Sequence, residues 1–243
     1  MRPRTHNWSL LTFSTYERIW LFSVVALLIV TITIAPDLIF EDTGNLAIVL
    51  CSIVSIISSP ICELLISKQS RYWTMFSLFF VEIPDIVILF GMGLYSSAFL
   101  SLFFWIPFDI MTFATWRGKN IDADHPELTK VKTFKPLQSA LVVLTMISLG
   151  VFLGAFLPLA SEDSNSYIVA FSNVFEIANG IFLLTRHTEQ WFAWLGYLIC
   201  EIIIWISLGH YVMLITVFAM LVNTIYGLVK WLRYTSAHNA EAT

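Results

Sequence analysis

Apolar side chains occur along the chain in runs of about 20 residues, each long enough to cross the hydrocarbon core of a membrane as a helix. Short polar segments separate the runs. The pattern predicts an all-α integral membrane protein with eight transmembrane helices. Their approximate limits are 19–35, 45–67, 73–92, 96–116, 137–158, 165–185, 190–208 and 211–231.

The composition agrees with a membrane protein, since 58% of the 243 residues are apolar and only 12% are charged. With eight spans, all thirteen Lys and Arg residues fall on one side of the membrane. Because basic residues accumulate in cytoplasmic loops, we expect a multi-pass protein of the plasma (inner) membrane with both termini cytoplasmic. In the loops predicted on the opposite side, all the charged residues are acidic, namely Asp37, Glu41, Asp42, Glu162 and Asp163.

The segments on either side of a central polar loop partly repeat each other. LLISKQSRYW, ending at Trp73, parallels FLLTRHTEQW, ending at Trp191, and Trp116 and Trp231 then close the fourth and eighth spans. Repeats of this kind place a substrate site between the two halves near the middle of the membrane. The predicted single membrane domain comprises an extra N-terminal helix in 1–40, a three-helix unit in 45–116, a cytoplasmic loop in 117–135, a linker helix in 137–158, a second three-helix unit in 165–233 and a tail in 234–243.

Several carboxyl groups lie within the predicted spans or near their ends, where a charge costs roughly 2.5–3.5 kcal/mol on insertion scales. No Lys or Arg lies deep in any span to neutralise them. The imbalance predicts a cavity that holds cations or shares protons. The acidic residues concerned are Glu63, Glu82, Asp85, Asp109, Glu176 and Glu201.

The seventh span carries an aromatic face with one carboxylate. Trp191, Trp194, Leu198, Glu201 and Trp205 are spaced 3, 4, 3 and 4 residues apart, which places them on one side of a helix. Indole faces attract cations and stack on planar heterocycles, so we expect this face to bind a flat or cationic ring. The alternative for Trp191 and Trp205 is a place in the interfacial aromatic belt.

The third and fourth spans also carry candidate binding residues. Ser101, Trp105 and Asp109 share a face of the fourth span, beside a proline that can open a kink. In the third span Glu82 lies one turn from Asp85. These two would repel each other if both were ionised, so at least one is expected to hold a proton or to bind a hydrogen-bond donor.

The sixth span offers Asn173, Glu176 and Asn179 at helical spacing. For these two Asn residues, and for Asn223 in the eighth span, the alternative is hydrogen bonding between helices. A polar stripe in the second span, which includes Ser55, indicates packing rather than binding.

Some function classes lack the residues that they need. The chain has no phosphate-binding glycine loop, so ATP-driven pumping by this chain alone is not expected. Its three cysteines have no metal-ligand spacing, and we predict no metal, no cofactor and no disulfide. We expect no nucleic-acid partner. An intramembrane enzyme built on Glu82 and Asp85 is a distant alternative, since paired carboxyl groups can do acid–base chemistry.

Three segments carry motifs of a known family: the pair Trp191 and Trp194, the fourth-span ending FFWIPFDIMTFATW, and the final span VFAMLVNTIYGLVKW. On these segments the chain resembles the PnuC family of nicotinamide riboside transporters, over roughly 45–116 and 165–233. It departs from the family pattern at three positions. Leu198 replaces Asn or another polar residue, Asp109 replaces a polar amide, and Ser101 replaces Asn.

The resemblance implies a three-plus-one-plus-three helix arrangement related to the SWEET sugar transporters, with one extra N-terminal helix. It implies facilitated uptake of nicotinamide riboside or a related vitamin or nucleoside, made one-way by a separate intracellular kinase. The expected partners are the lipid bilayer and a small cationic or ring-containing substrate, and a homo-oligomer stays open. Thiamine or deoxyribonucleoside uptake and proton-coupled transport are the alternatives.

Overall fold

The computed structural model describes residues 13–34, 45–91, 95–126, 128–156, 166–208 and 213–241. Within these ranges the regular elements are helices, apart from two isolated backbone bridges, so the predicted all-α class is confirmed. The acidic loops on which part of the predicted topology depends lie outside the described residues. They contain Asp37, Glu41, Asp42, Glu162 and Asp163.

Eight long helical runs occur in the described part of the chain. Seven of them are long and apolar enough to span a membrane, whereas the apolar helix within the fourth, Ser101–Thr115, is shorter. The runs are α1 (Thr15–Ile34), α2 (Leu46–Ser67), α3 (Trp73–Gly91), α4 (Tyr95–Leu100, Ser101–Trp105 and Ile106–Thr115 in succession), α5 (Pro136–Phe156), α6 (Ser166–Thr185), α7 (Gln190–Leu208) and α8 (Met213–Glu241). The last helix continues through most of the predicted tail.

The third and fourth helices each contain a π-helical segment at the same distance from a proline. Leu78–Glu82 in α3 ends two residues before Pro84, and Ser101–Trp105 in α4 ends two residues before Pro107. Proline donates no backbone hydrogen bond and clashes with the carbonyl of the preceding turn, so the helix is wider just before it. Single π turns occur frequently at functional sites, and three of the predicted binding residues lie in these two segments.

The chain divides into two compact units, Met1–Lys130 with α1 to α4 and Val131–Thr243 with α5 to α8. Each unit contains two tryptophans packed edge to face. The ring centroids of Trp73 and Trp116 are 5.7 Å apart at 76°, and those of Trp191 and Trp231 are 5.6 Å apart at 85°. The sequence repeat aligns these same residues, so the matching geometry supports the predicted repeat.

The turn that precedes the first tryptophan of each pair contains a residue with a left-handed backbone, Gln69 (φ 56°) in one unit and Arg186 (φ 61°) in the other. The carbonyl of each accepts a hydrogen bond from the central loop. Within the first unit the donor is Thr129 N, at 3.1 Å, and within the second it is Lys132 N, at 3.0 Å. The central polar loop is therefore ordered against these turns, which its composition did not indicate.

In the second unit the loop is held further by Phe134. Its backbone N–H donates to Glu189 Oε1 at 2.8 Å, and its ring stacks on that of His187 with centroids 3.8 Å apart. Burial, and to a smaller extent the charges of Lys132 and Arg186, lowers the pKa of His187 to about 4. The stacked imidazole is therefore neutral at neutral pH.

A buried ion pair anchors the N-terminal helix in the first unit. Ser14 and Glu17 cap the start of α1 reciprocally, with N···O distances of 2.8 and 3.2 Å. Glu17 Oε2 also lies 3.7 Å from Lys68 Nζ, and both side chains are almost inaccessible to solvent. The ammonium group sits over the ring of Phe13, 4.4 Å from its centroid. Lys68 lies in the predicted connection, yet it is buried against an acid that the sequence did not single out.

Candidate functional site

A polar cluster in the second unit is centred on Glu201 of α7. Ser172 Oγ, on α6, donates to Glu201 Oε1 at 3.1 Å, and the indole N–H of Trp205 also bonds to the carboxyl group. Glu176, one turn along α6 from Ser172, is near enough for its carboxyl group to interact electrostatically with that of Glu201. The structure thus places the two predicted acids, which lie on different helices, in one cluster.

A stacked aromatic pair on α7 borders the two carboxyl groups. The rings of Trp194 and Tyr197 are nearly parallel, at 17°, with centroids 4.7 Å apart. Tyr197 also interacts electrostatically with Glu201 and Glu176. All four side chains are partly accessible, so the cluster is not sealed in the protein core. Sequence reasoning missed Tyr197, although its position four residues before Glu201 was the available signal.

This arrangement suits a planar or cationic ligand. The Trp194 and Tyr197 rings offer a flat surface, and an aromatic face attracts a positive charge. Ser172 and Trp205 each donate to Glu201, so its carboxyl group is held in a defined position. A carboxyl group beside an aromatic surface can pair with a cation or accept hydrogen bonds from hydroxyl groups.

The other predicted residues of the second unit differ in burial and packing. Trp191 is 1% exposed, and its ring carbons lie 2.3 to 2.8 Å from the place that a Cβ on Gly227 would occupy. Its role is therefore packing between α7 and α8. Asn173 is exposed. Asn179 is half-buried, and its Oδ1 has no hydrogen-bond partner within the described residues.

The first unit has a second polar cluster around Asp109 of α4, which is 6% exposed. Ser77, on α3, hydrogen-bonds to Asp109, while Asp109 Oδ2 and the hydroxyl of Thr112 have no hydrogen-bond partner in the described part of the chain. Cys62 of α2 interacts electrostatically with Asp109 and with Glu82. Asp109 therefore lies in a helix interface, and Ser77 is a partner that the sequence did not indicate.

The π segments hold the remaining candidates of the first unit. Glu82 ends the segment in α3, whereas Ser101 begins and Trp105 ends the one in α4, and all three side chains are half-buried. The Trp105 ring packs edge to face against Phe104 and Phe108, with centroids 5.1 and 5.8 Å away.

Asp85, one turn from Glu82, accepts a hydrogen bond from Ser55 Oγ of α2 at 2.7 Å. This is the donor expected for one member of the acidic pair. Ser55, which the sequence assigned to packing, thus also bonds α2 to α3. In the described ranges no three His, Cys, Asp or Glu side chains come together as metal ligands.

Comparison with known proteins identifies a family and a fold. The sequence model of the family described as "Nicotinamide mononucleotide transporter" matches residues 49–233, from α2 into α8. The nicotinamide riboside transporter PnuC of Haemophilus influenzae is 24% identical over 190 residues, which cover 77% of this chain and 81% of that protein.

A crystal structure of the vitamin B3 transporter PnuC superposes with a TM-score of 0.70 at 20% sequence identity. The superposition covers 93% of this chain and 94% of the other. At this level of identity the likeness shows a shared fold. The superposition extends beyond residues 49–233, which the family model matches.

Proposed function

Since the chain belongs to the nicotinamide mononucleotide transporter family, a family of transporters and not of enzymes, we propose that it takes up nicotinamide riboside or a closely related vitamin or nucleoside. Its helices are those of a multi-pass membrane protein. The relatives named for nicotinamide riboside and for vitamin B3 support this substrate class.

The observation that carries the proposal is the cluster around Glu201. Nicotinamide riboside joins a flat, positively charged pyridinium ring to a ribose. The Trp194 and Tyr197 rings, stacked at 4.7 Å, would hold the pyridinium ring. Glu201 and Glu176 would neutralise its charge or accept hydrogen bonds from the ribose hydroxyl groups. Two carboxyl groups beside an aromatic surface favour a cationic substrate over a neutral nucleoside.

We further propose facilitated diffusion across the inner membrane, with both termini cytoplasmic and a separate kinase that traps the substrate. Proton-coupled transport is the second candidate, which is favoured by the Asp109 oxygen that has no partner within the described residues. Uptake into proteoliposomes distinguishes the two. Facilitated diffusion predicts equal concentrations inside and outside, whereas proton coupling predicts accumulation that a protonophore abolishes.

The substrate assignment is tested by tryptophan fluorescence of the purified protein during titration with nicotinamide riboside, thiamine, riboflavin and several deoxynucleosides. We expect a saturable change with nicotinamide riboside, because its ring would stack beside Trp194. The variant Trp194→Leu is expected to lose this change together with most of the affinity, measured independently by calorimetry.

Trp20→Phe is the matched control, since Trp20 lies in α1, outside the proposed site. It should leave the affinity for nicotinamide riboside unchanged. Saturable binding of a neutral deoxynucleoside alone would move the assignment to that substrate class. Silence across the whole panel, in protein shown to be folded, would refute the proposed substrate class.

A further inference from the structure

The packing of the second unit leaves a buried side-chain amide in α8 without a partner among the described residues. We propose that Asn223 binds the primary carboxamide of the transported pyridinium nucleoside and so selects substrates that carry this group. The inference rests on the proposed function and specifies which part of the substrate is recognised.

Asn223 is fully buried, at 0% exposure. Among the described residues, neither its Oδ1 nor its Nδ2 has a hydrogen-bond partner. The bond between helices that the sequence offered as its alternative role is therefore not formed in this part of the chain. A buried amide with both its acceptor and its donors unsatisfied destabilises a fold, so a bound ligand with matching hydrogen-bonding groups would stabilise Asn223.

The packing of α7 against α8 locates this amide relative to the aromatic pair. Trp191, at the start of α7, packs on Gly227 and Trp231 of α8. Asn223 precedes Gly227 by one turn and Trp194 follows Trp191 by about one turn. Because consecutive helices joined by a short connection run antiparallel, Asn223 and Trp194 lie at about the same height in the second unit.

A primary carboxamide is the group that matches a free Asn side chain. The Asn amide offers one carbonyl acceptor and two N–H donors, so a carboxamide can donate one hydrogen bond to it and accept another. A carboxylate in that place would set an oxygen against the Asn carbonyl. On α7, where the family pattern has a polar residue, this chain has the buried Leu198.

The spacing along α7 accommodates the rest of such a substrate. Glu201 follows Trp194 by seven residues, which is about 10 Å along a helix. A ring stacked beside Trp194 would thus present its carboxamide to Asn223 and extend its ribose hydroxyl groups towards Glu201. The two ends of the substrate would be recognised by different helices of the same unit.

The test compares two ligands in the purified full-length protein. These are nicotinamide riboside and the same pyridinium riboside without the carboxamide. We expect the wild-type protein to prefer nicotinamide riboside by roughly 10- to 100-fold, the effect of two neutral hydrogen bonds. Asn223→Leu should lose this preference and bind the carboxamide-free ligand as the wild type does, in the manner of a double-mutant cycle.

Thr224→Val is the matched control. Thr224 is also buried, but its hydroxyl donates to the Met220 carbonyl of its own helix at 2.8 Å, so the variant should keep the preference. Equal affinity of the wild-type protein for the two ligands would overturn the inference without any variant, since Asn223 would then bond only to buried water. A preference that persists in Asn223→Leu, or an equal loss of both ligands in it, would also overturn the inference.

Failure of the wild-type protein to bind either ligand is a different result. It would refute the proposed function, and the carboxamide assignment with it. Binding of both ligands without a preference refutes only the assignment of Asn223, so the two failures are distinguishable.

Discussion

At the scale of single residues, the feature that matters most is a carboxyl group held in place by neighbouring donors. Ser172 and Trp205 both donate to Glu201, and Glu176 interacts with it electrostatically. Such a group is oriented before a ligand arrives, so less freedom is lost on binding. This is the physical reason for proposing that Glu201, rather than an acid without such support, recognises the charge of the substrate.

Glu201→Gln keeps the shape of the side chain and removes its charge. Because hydrogen bonds and ion pairs with charged groups contribute about 1.5–3 kcal/mol, we expect affinity for nicotinamide riboside to fall by roughly 10- to 100-fold, as measured by calorimetry. Glu189→Gln is the control, since its amide oxygen can still accept the hydrogen bond of Phe134. Equal affinity of Glu201→Gln and the wild type would remove Glu201 from the site.

At the scale of helices, close packing depends on a few small residues. Gly227 of α8 lets the Trp191 ring lie directly against the helix backbone, and Trp231 closes the same contact. The equivalent pair of the first unit, Trp73 and Trp116, has nearly the same geometry. The Trp pairs therefore set how closely the second and third helices of each three-helix set approach.

Gly227→Ala would place a methyl group 2.3 Å from a ring carbon of Trp191. Overpacking of this kind destabilises a fold by about 1–3 kcal/mol, so we expect a lower midpoint of thermal unfolding in detergent. An unfolding midpoint for Gly227→Ala equal to that of the wild-type protein would contradict the packing role of the glycine.

At the scale of the whole molecule, charge distribution predicts orientation. The thirteen basic residues of the sequence fall on one predicted side of the membrane, and that side is normally cytoplasmic. Lys68 shows that a basic residue in a connection can also have a structural partner, here Glu17. The other basic residues still lie on the same predicted side of the membrane, so one buried ion pair does not change the expected orientation.

Reporter fusions test this orientation. Green fluorescent protein at the C-terminus should be fluorescent, and alkaline phosphatase should be inactive when fused near Lys119 and active when fused near Glu162. The expected pattern follows from an even number of spans with cytoplasmic termini. Active phosphatase at Lys119, or the same result at both positions, would contradict the topology of eight spans.

The sequence alone determined the membrane class, the number of helices and the family resemblance, and it predicted a repeat. Each depends on features that are local along the chain, such as runs of apolar residues, the sign of loop charges and the seven-residue spacing of Trp194 and Glu201. Helical periodicity predicts which side chains share a face of their own helix, and it therefore found Glu176 and Glu201 separately.

Only the tertiary structure decided which faces meet, because the rotation of a helix and the choice of its neighbours depend on contacts between residues distant in the chain. It brought Ser172 to Glu201, added Tyr197 to the site, and placed Trp191 in the core although that residue shares a helical face with Trp194. It also left the amide of Asn223 buried without a partner among the described residues. The sequence could not predict this, because a helical pattern shows that a polar group is present but not which groups it can reach.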